Sequence, residues 1–197
     1  MQPSSLLVAF CSLVCAALAA GCKPDYAEKV ATDVCASGLR WDGELTGNEE
    51  MYPGYDCVGC HKLFDAPQLM AAGTIYGILD ADGARTTRNY CYGVEGAHVT
   101  ITAADGQVLE TTTNRAGNFY FEGREDALAM PLSVLVEYTS PDGHRSREPM
   151  GTNPSYGGCA RCHDPEAEST PNARPGIELL PDEVFQVYPI FTGPVDE

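Results

Sequence analysis

Residues 95–123 read "EGAHVTITAADGQVLETTTNRAGNFYFEG". Val99 and Ile101 alternate with His98, Thr100 and Thr102, a two-residue period that argues for a half-buried strand with His98 on its polar face. Asp105–Gly106 then separates this run from "QVLETTT", and Asp-Gly between alternating runs is a strong hairpin signal. "NRAG" supplies the next turn, and "NFYFEG" follows with Phe119 and Phe121 on one face.

The same grammar extends outward. "TIYGILDADG" from Thr74 opens the strand region. "PLSVLVEYT" places Leu132, Val134, Val136 and Tyr138 on one face, and a second Asp-Gly, Asp142–Gly143, leads into "HRSREPM". About six short strands joined by turn residues predict a mainly β fold, a small antiparallel β-sandwich flanked by loop-rich segments. The 20 glycines and 14 prolines favour turns over long helices. The formal charge of −16 argues against nucleic acid as a partner and against charge-driven binding to an anionic membrane.

The order Gly77, Gly96-Ala97-x-Val99, Thr112-Thr113-x-x-x-Gly117-x-Phe119 resembles the carboxypeptidase regulatory-like domain, also called transthyretin-like. The resemblance covers about 75 residues and implies a sandwich that is usually a non-catalytic module. This chain departs from the pattern by an insertion, "ADGARTTRNYCYG", after the first strand.

Two further segments carry the chemistry. "YDCVGCH" holds Cys57, Cys60 and His61, and "YGGCARCH" holds Cys159, Cys162 and His163. Cys-x-x-Cys-His is the attachment signature of c-type haem. Two thiols three residues apart reach the two vinyl groups on one porphyrin edge, and the adjacent imidazole meets the iron from one side. Zinc knuckles bring paired Cys-x-x-Cys units closer in sequence than this, and a thioredoxin-like pair needs a βαβ setting that the sequence lacks. A plain disulfide leaves both histidines unexplained. The expected cofactors are therefore two covalently bound haem c groups.

The N-terminus fits that reading. Leu6 to Ala20 is an uncharged run, short for a bilayer span and suited to a signal peptide. "LAAGC" resembles the bacterial lipobox, which implies lipidation at Cys22. Ala19 stands where that family prefers Leu, and "MQPSS" has no Lys or Arg. Ordinary cleavage after Ala19 is the alternative. The chain has nine cysteines. Cys11 and Cys15 fall in the signal peptide and four belong to the haem motifs. Lipidation of Cys22 leaves Cys35 and Cys91 as one candidate disulfide; without it, three thiols remain and one is odd. The expected organisation is signal peptide 1–21, N-terminal haem-binding segment 22–73, sandwich 74–149, and C-terminal haem-binding segment and tail 150–197. The C-terminal part resembles the haem-bearing end that follows such domains in exported bacterial cytochromes, and the acidic stretch from Pro181 reads as a surface wrap or a mobile end.

Each iron has one further axial position, and its occupant separates electron transfer from small-ligand chemistry. With four histidines in the chain and two of them proximal, His98 and His144 remain. Met150 and Met51 precede the two motifs closely enough to wrap a haem edge, at about 3.3 Å per extended residue. The ranking is Met150, then His98 and His144, then Met51. The expected function is electron transfer by a dihaem cytochrome anchored by lipid in the bacterial cell envelope, with redox proteins, other multihaem cytochromes among them, as partners. The alternative is a peroxidase-like haem enzyme or sensor subunit with one open iron.

Overall fold

A computed structural model describes residues 25–43, 47–64, 66–77, 90–150, 153–161, 163 and 190–192. Among these, the strands are β1 (Ala27–Lys29), β2 (Leu39–Trp41), β3 (Leu69–Gly77), β4 (His98–Thr102), β5 (Val108–Thr112), β6 (Asn118–Glu122), β7 (Ser133–Thr139), β8 (Arg145–Pro149) and β9 (Ile190–Thr192). One helix, α1 (Cys57–Leu63), and 3-10 turns at Glu125–Ala127 and Cys159–Arg161 complete the set.

The strands form a small β-sandwich. One sheet runs β5-β4-β7-β8 and the other β6-β3-β9, and β1 and β2 make a separate pair. The Asp105–Gly106 hairpin pairs Thr102 with Val108 and His98 with Thr112. β7 pairs with β4 on its other edge, Val136 opposite Val99 and Val134 opposite Ile101. Between the sheets lie Ile75, Val99, Ile101, Phe119, Leu132 and Val136, each at most 2% exposed. Burying one such side chain is worth about 1.5–3 kcal/mol, so the alternation read from the sequence is also the main source of cohesion.

β3 is the organising strand. It starts at Leu69, five residues before the expected boundary at Thr74, and its burial is almost unbroken. Ala71 and Ile75 face the core shared with the second sheet. Ala72 packs instead with Val58 and Leu69 on the opposite face. A strand covered on both sides has no reason to alternate polar and apolar residues, which explains the shifted boundary.

Two further expectations are corrected. The first haem motif was expected in a loop, and it forms the seven-residue α1. The tail was expected as a surface wrap or mobile end, yet Ile190–Thr192 adds a strand, paired in parallel with Ile75–Gly77 of β3.

The N-terminal segment is bound to the sandwich at several points. Cys35 and Cys91 form a disulfide with a Cα–Cα distance of 5.4 Å, and both are buried. The Arg115 guanidinium, in the β5–β6 turn, donates to both carboxylate oxygens of Glu50 (3.0 and 2.7 Å) and to Asp25 (2.8 Å). Tyr92 donates its hydroxyl to the same Glu50 carboxylate at 2.6 Å.

Candidate functional site

The site is built on the outer face and one edge of β3. A chain of side chain to main chain bonds brings the first motif there. Asn118 Nδ2 donates to the carbonyl oxygens of Met51 (3.0 Å) and Glu49 (3.2 Å). Its Oδ1 accepts from the Thr74 hydroxyl at 2.7 Å, and Thr74 Oγ1 accepts from the Gly54 N–H at 2.8 Å. Thr74 and Asn118 are directly opposed across β3 and β6 and are both buried, where an unpaired polar group is costly. This chain fixes the backbone three residues ahead of Cys57.

Asp56 then starts α1. Its side chain accepts from the Gly59 N–H at 3.1 Å, and its carbonyl oxygen accepts from Cys60 N–H at 2.9 Å, an N-cap of the usual kind. At about 100° per residue, Cys57, Cys60 and His61 share one side of the helix. Val58, 2% exposed, is turned inward against Leu69 and Ala72. The His61 ring Nδ1 lies 2.7 Å from the carbonyl oxygen of Pro67. A carbonyl can only accept, so Nδ1 is the donor, which in the neutral ring leaves the lone pair on Nε2. Leu63 and Phe64, the next apolar residues, are 81% and 69% exposed. A cleft of about 640 Å³ opens on the other side of α1, lined by Val58, Lys62, Leu69, Arg124 and Met130; neither the thiols nor His61 line it.

The second motif arrives along the edge of β3. Ala72 N–H donates to Gly157 O at 3.0 Å, and Ala72 and Gly158 form a parallel bridge. The 3-10 turn Cys159–Arg161 follows, and His163 N–H donates to Cys159 O at 2.9 Å. Cys159 packs against the sandwich core. Cys162 lies outside the described residues, as does Cys22.

The two motifs meet. The Tyr156 hydroxyl donates to the Asp56 carboxylate, 3.3 Å from each oxygen, across a separation of 100 residues. Gly59 and Gly158 leave room for that carboxylate: a Cβ on Gly158 would collide with Oδ1, and one on Gly59 would lie 2.5 Å from Oδ2. The Arg161 guanidinium covers the Tyr156 ring, 4.8 Å from its centroid. Burial, with the Asp56 charge behind it, pushes the Tyr156 phenol up to about 12. The Cys57 thiol is also pushed up to about 12, by burial first and by Asp56 second.

The structure does not bring every candidate ligand to these motifs. His98 sits on β4 with its neighbours Val99 and Ile101 turned into the core. It therefore faces outward from the four-stranded sheet, whereas α1 covers the outer face of the other. His144 is in the β7–β8 turn, 78% exposed and 3.7 Å from Asp142. Met51 packs beside the Trp41, Tyr92 and Ala116 cluster. Met150 follows β8, donates its N–H to Val134 O at 2.9 Å and packs against the same core as Cys159. Among the described residues, no group of three or more His, Cys, Asp or Glu side chains is placed to hold a metal ion by itself.

The residues that the sequence reading passed over are Asp56, Pro67, Thr74, Asn118 and Tyr156. Asp56 had a signal, since Asp directly before a short helical turn is a preferred cap. Tyr156 did too, as part of the Pro-x-Tyr or Pro-Gly-Tyr lead that precedes both motifs. No protein-family model matches the chain, and neither a curated protein nor a solved structure does.

Proposed function

We propose that the chain is an electron carrier with two covalently attached c-type haems. The observation that carries this reading is the convergence of the two Cys-x-x-Cys-His segments on one strand and on each other through Asp56 and Tyr156, which are 100 residues apart. Two one-electron centres exchange electrons only when they are close, and this fold draws their attachment points together.

The residues fit the group. Cys57, Cys60 and His61 lie on one side of α1, and the bond from His61 Nδ1 to Pro67 O leaves Nε2 available to a metal, the usual arrangement for a ligating histidine. Leu63 and Phe64, at the end of α1, are exposed apolar residues. Cys159 and His163 hold the corresponding places in the second segment, with Cys162 as the other thioether. Bound haem would supply reversible one-electron chemistry at iron; the protein supplies attachment, spacing and local charge.

Lipidation at Cys22 would hold the carrier in the cell envelope, where redox proteins would be its partners. No helix among the described residues is long and apolar enough to cross a membrane. The resemblance of the sandwich to carboxypeptidase regulatory-like modules suits a scaffold role. A second reading, a haem enzyme or sensor with one open iron, is favoured by one observation: neither spare histidine is brought to a motif.

Intact mass after denaturation tests the main reading, with two haem masses above the polypeptide expected. A polypeptide without haem and with stoichiometric zinc would overturn it. Paramagnetic resonance then separates the two readings, low-spin iron at both sites marking the carrier and a high-spin site marking the enzyme.

A further inference from the structure

Asp56 precedes Cys57 in the chain and abuts Gly158, which precedes Cys159. One carboxylate thus stands one residue ahead of the first thiol of both motifs. It is held from three directions: by the Gly59 N–H of its own helix, by the Tyr156 hydroxyl of the other segment, and by the two glycines that make space for it. We propose that Asp56 is a shared positioning residue whose fixed negative charge sets the reduction potentials of both haem sites together. The proposal rests on the dihaem reading above.

The physics is a sign argument. Oxidation adds positive charge at iron, so a nearby carboxylate favours the oxidised form and lowers the potential. A charge anchored to one site alone would lower one potential. Asp56 is anchored to both, through its own peptide link to Cys57 and through Tyr156 and Gly158 to Cys159. Other charges lie around this carboxylate. Arg161 stacks over the ring of Tyr156. Lys62 is engaged with Glu125 at 2.7 Å. The raised phenol of Tyr156 remains a neutral donor at ordinary pH.

Asp56→Asn on the haem-loaded protein is the test. Asparagine still caps the helix and still accepts from Tyr156, so the charge alone is lost. Both midpoint potentials should rise, with two haem masses retained. Glu110→Gln, an equal loss of charge on the exposed side of β5, should leave both where they were. A rise at one haem only, no rise, or an equal effect of Glu110→Gln would overturn the proposal. If Asp56→Asn fails to mature, Asp56→Ser keeps an N-cap acceptor without the charge, and both potentials should again rise; a rise at one haem or at neither overturns the proposal. A wild-type protein without haem in the mass spectrum overturns the dihaem reading itself, and that outcome is seen before any potential is measured.

Discussion

The His61 ring donates through Nδ1 to the Pro67 carbonyl oxygen, six residues further on, at 2.7 Å. The bond spans the end of α1 and orients the imidazole, so that in the neutral ring the other nitrogen is the acceptor.

Replacing that imidazole should therefore affect one centre. His61→Ala is expected to abolish the low-spin spectrum of one haem and leave the other unchanged. Lys62→Ala, whose side chain lines the cleft on the other side of α1, should leave both intact. Absorption and paramagnetic resonance spectra of the two variants check the pair. Loss of both centres in His61→Ala would contradict independent attachment.

The placement of the remaining histidines gives a second expectation. His98→Ala and His144→Ala should leave both haem spectra and both potentials unchanged, because neither side chain lies beside a motif. Met150→Ala is the variant to compare with them. If Met150 ligates iron, its loss should remove the weak sulfur-to-iron band at the red end of the oxidised spectrum and lower one potential. A spectral change in His98→Ala would mean that another copy of the chain brings the residue to iron.

Glu50 should make the attachment of the N-terminal segment sensitive to acid. Burial pushes its carboxyl up, but the hydrogen bonds from Arg115 and Tyr92 outweigh that and hold it below its ordinary value. A depressed folded pKa contributes stability that is fully present above the unfolded pKa and is lost as pH falls through the folded one. The thermal stability of the wild type should thus fall below about pH 4.5 in a way that Glu50→Gln largely lacks. Parallel curves for the two proteins would remove Glu50 from the account.

The disulfide sets a larger scale. Cys35 and Cys91 close a loop across 56 positions, for which chain entropy gives about 4 kcal/mol. Cys35→Ala with Cys91→Ala should lower the unfolding midpoint markedly. Peptide mapping without reduction checks the linkage itself, and two free thiols there would refute it.

The sandwich was legible because its strands are half-buried. Val99 and Ile101 alternate with His98, Thr100 and Thr102; Phe119 and Phe121, like Val134 and Val136, recur at the same two-residue spacing; and Asp-Gly pairs mark two of the turns. The first half of β3 was illegible for the opposite reason: "LMAAG" is covered on both faces and shows no period. α1 was hidden by its length, since seven residues around a glycine form no stable helix alone and this one depends on Asp56 and on Val58 packing under Leu69. The Cys-x-x-Cys-His segments were visible from their spacing alone. Their meeting depends on Tyr156 and Asp56, which no local pattern joins.

The parallel pairing of Ile190–Thr192 with Ile75–Gly77 has a kinetic corollary. Contacts between residues so far apart in sequence form slowly. The strand to which both motifs are anchored therefore cannot gain its last partner until almost the whole polypeptide has emerged. For a chain delivered from its N-terminus, the edge of β3 at Ile75–Gly77 therefore stays unpaired throughout that interval.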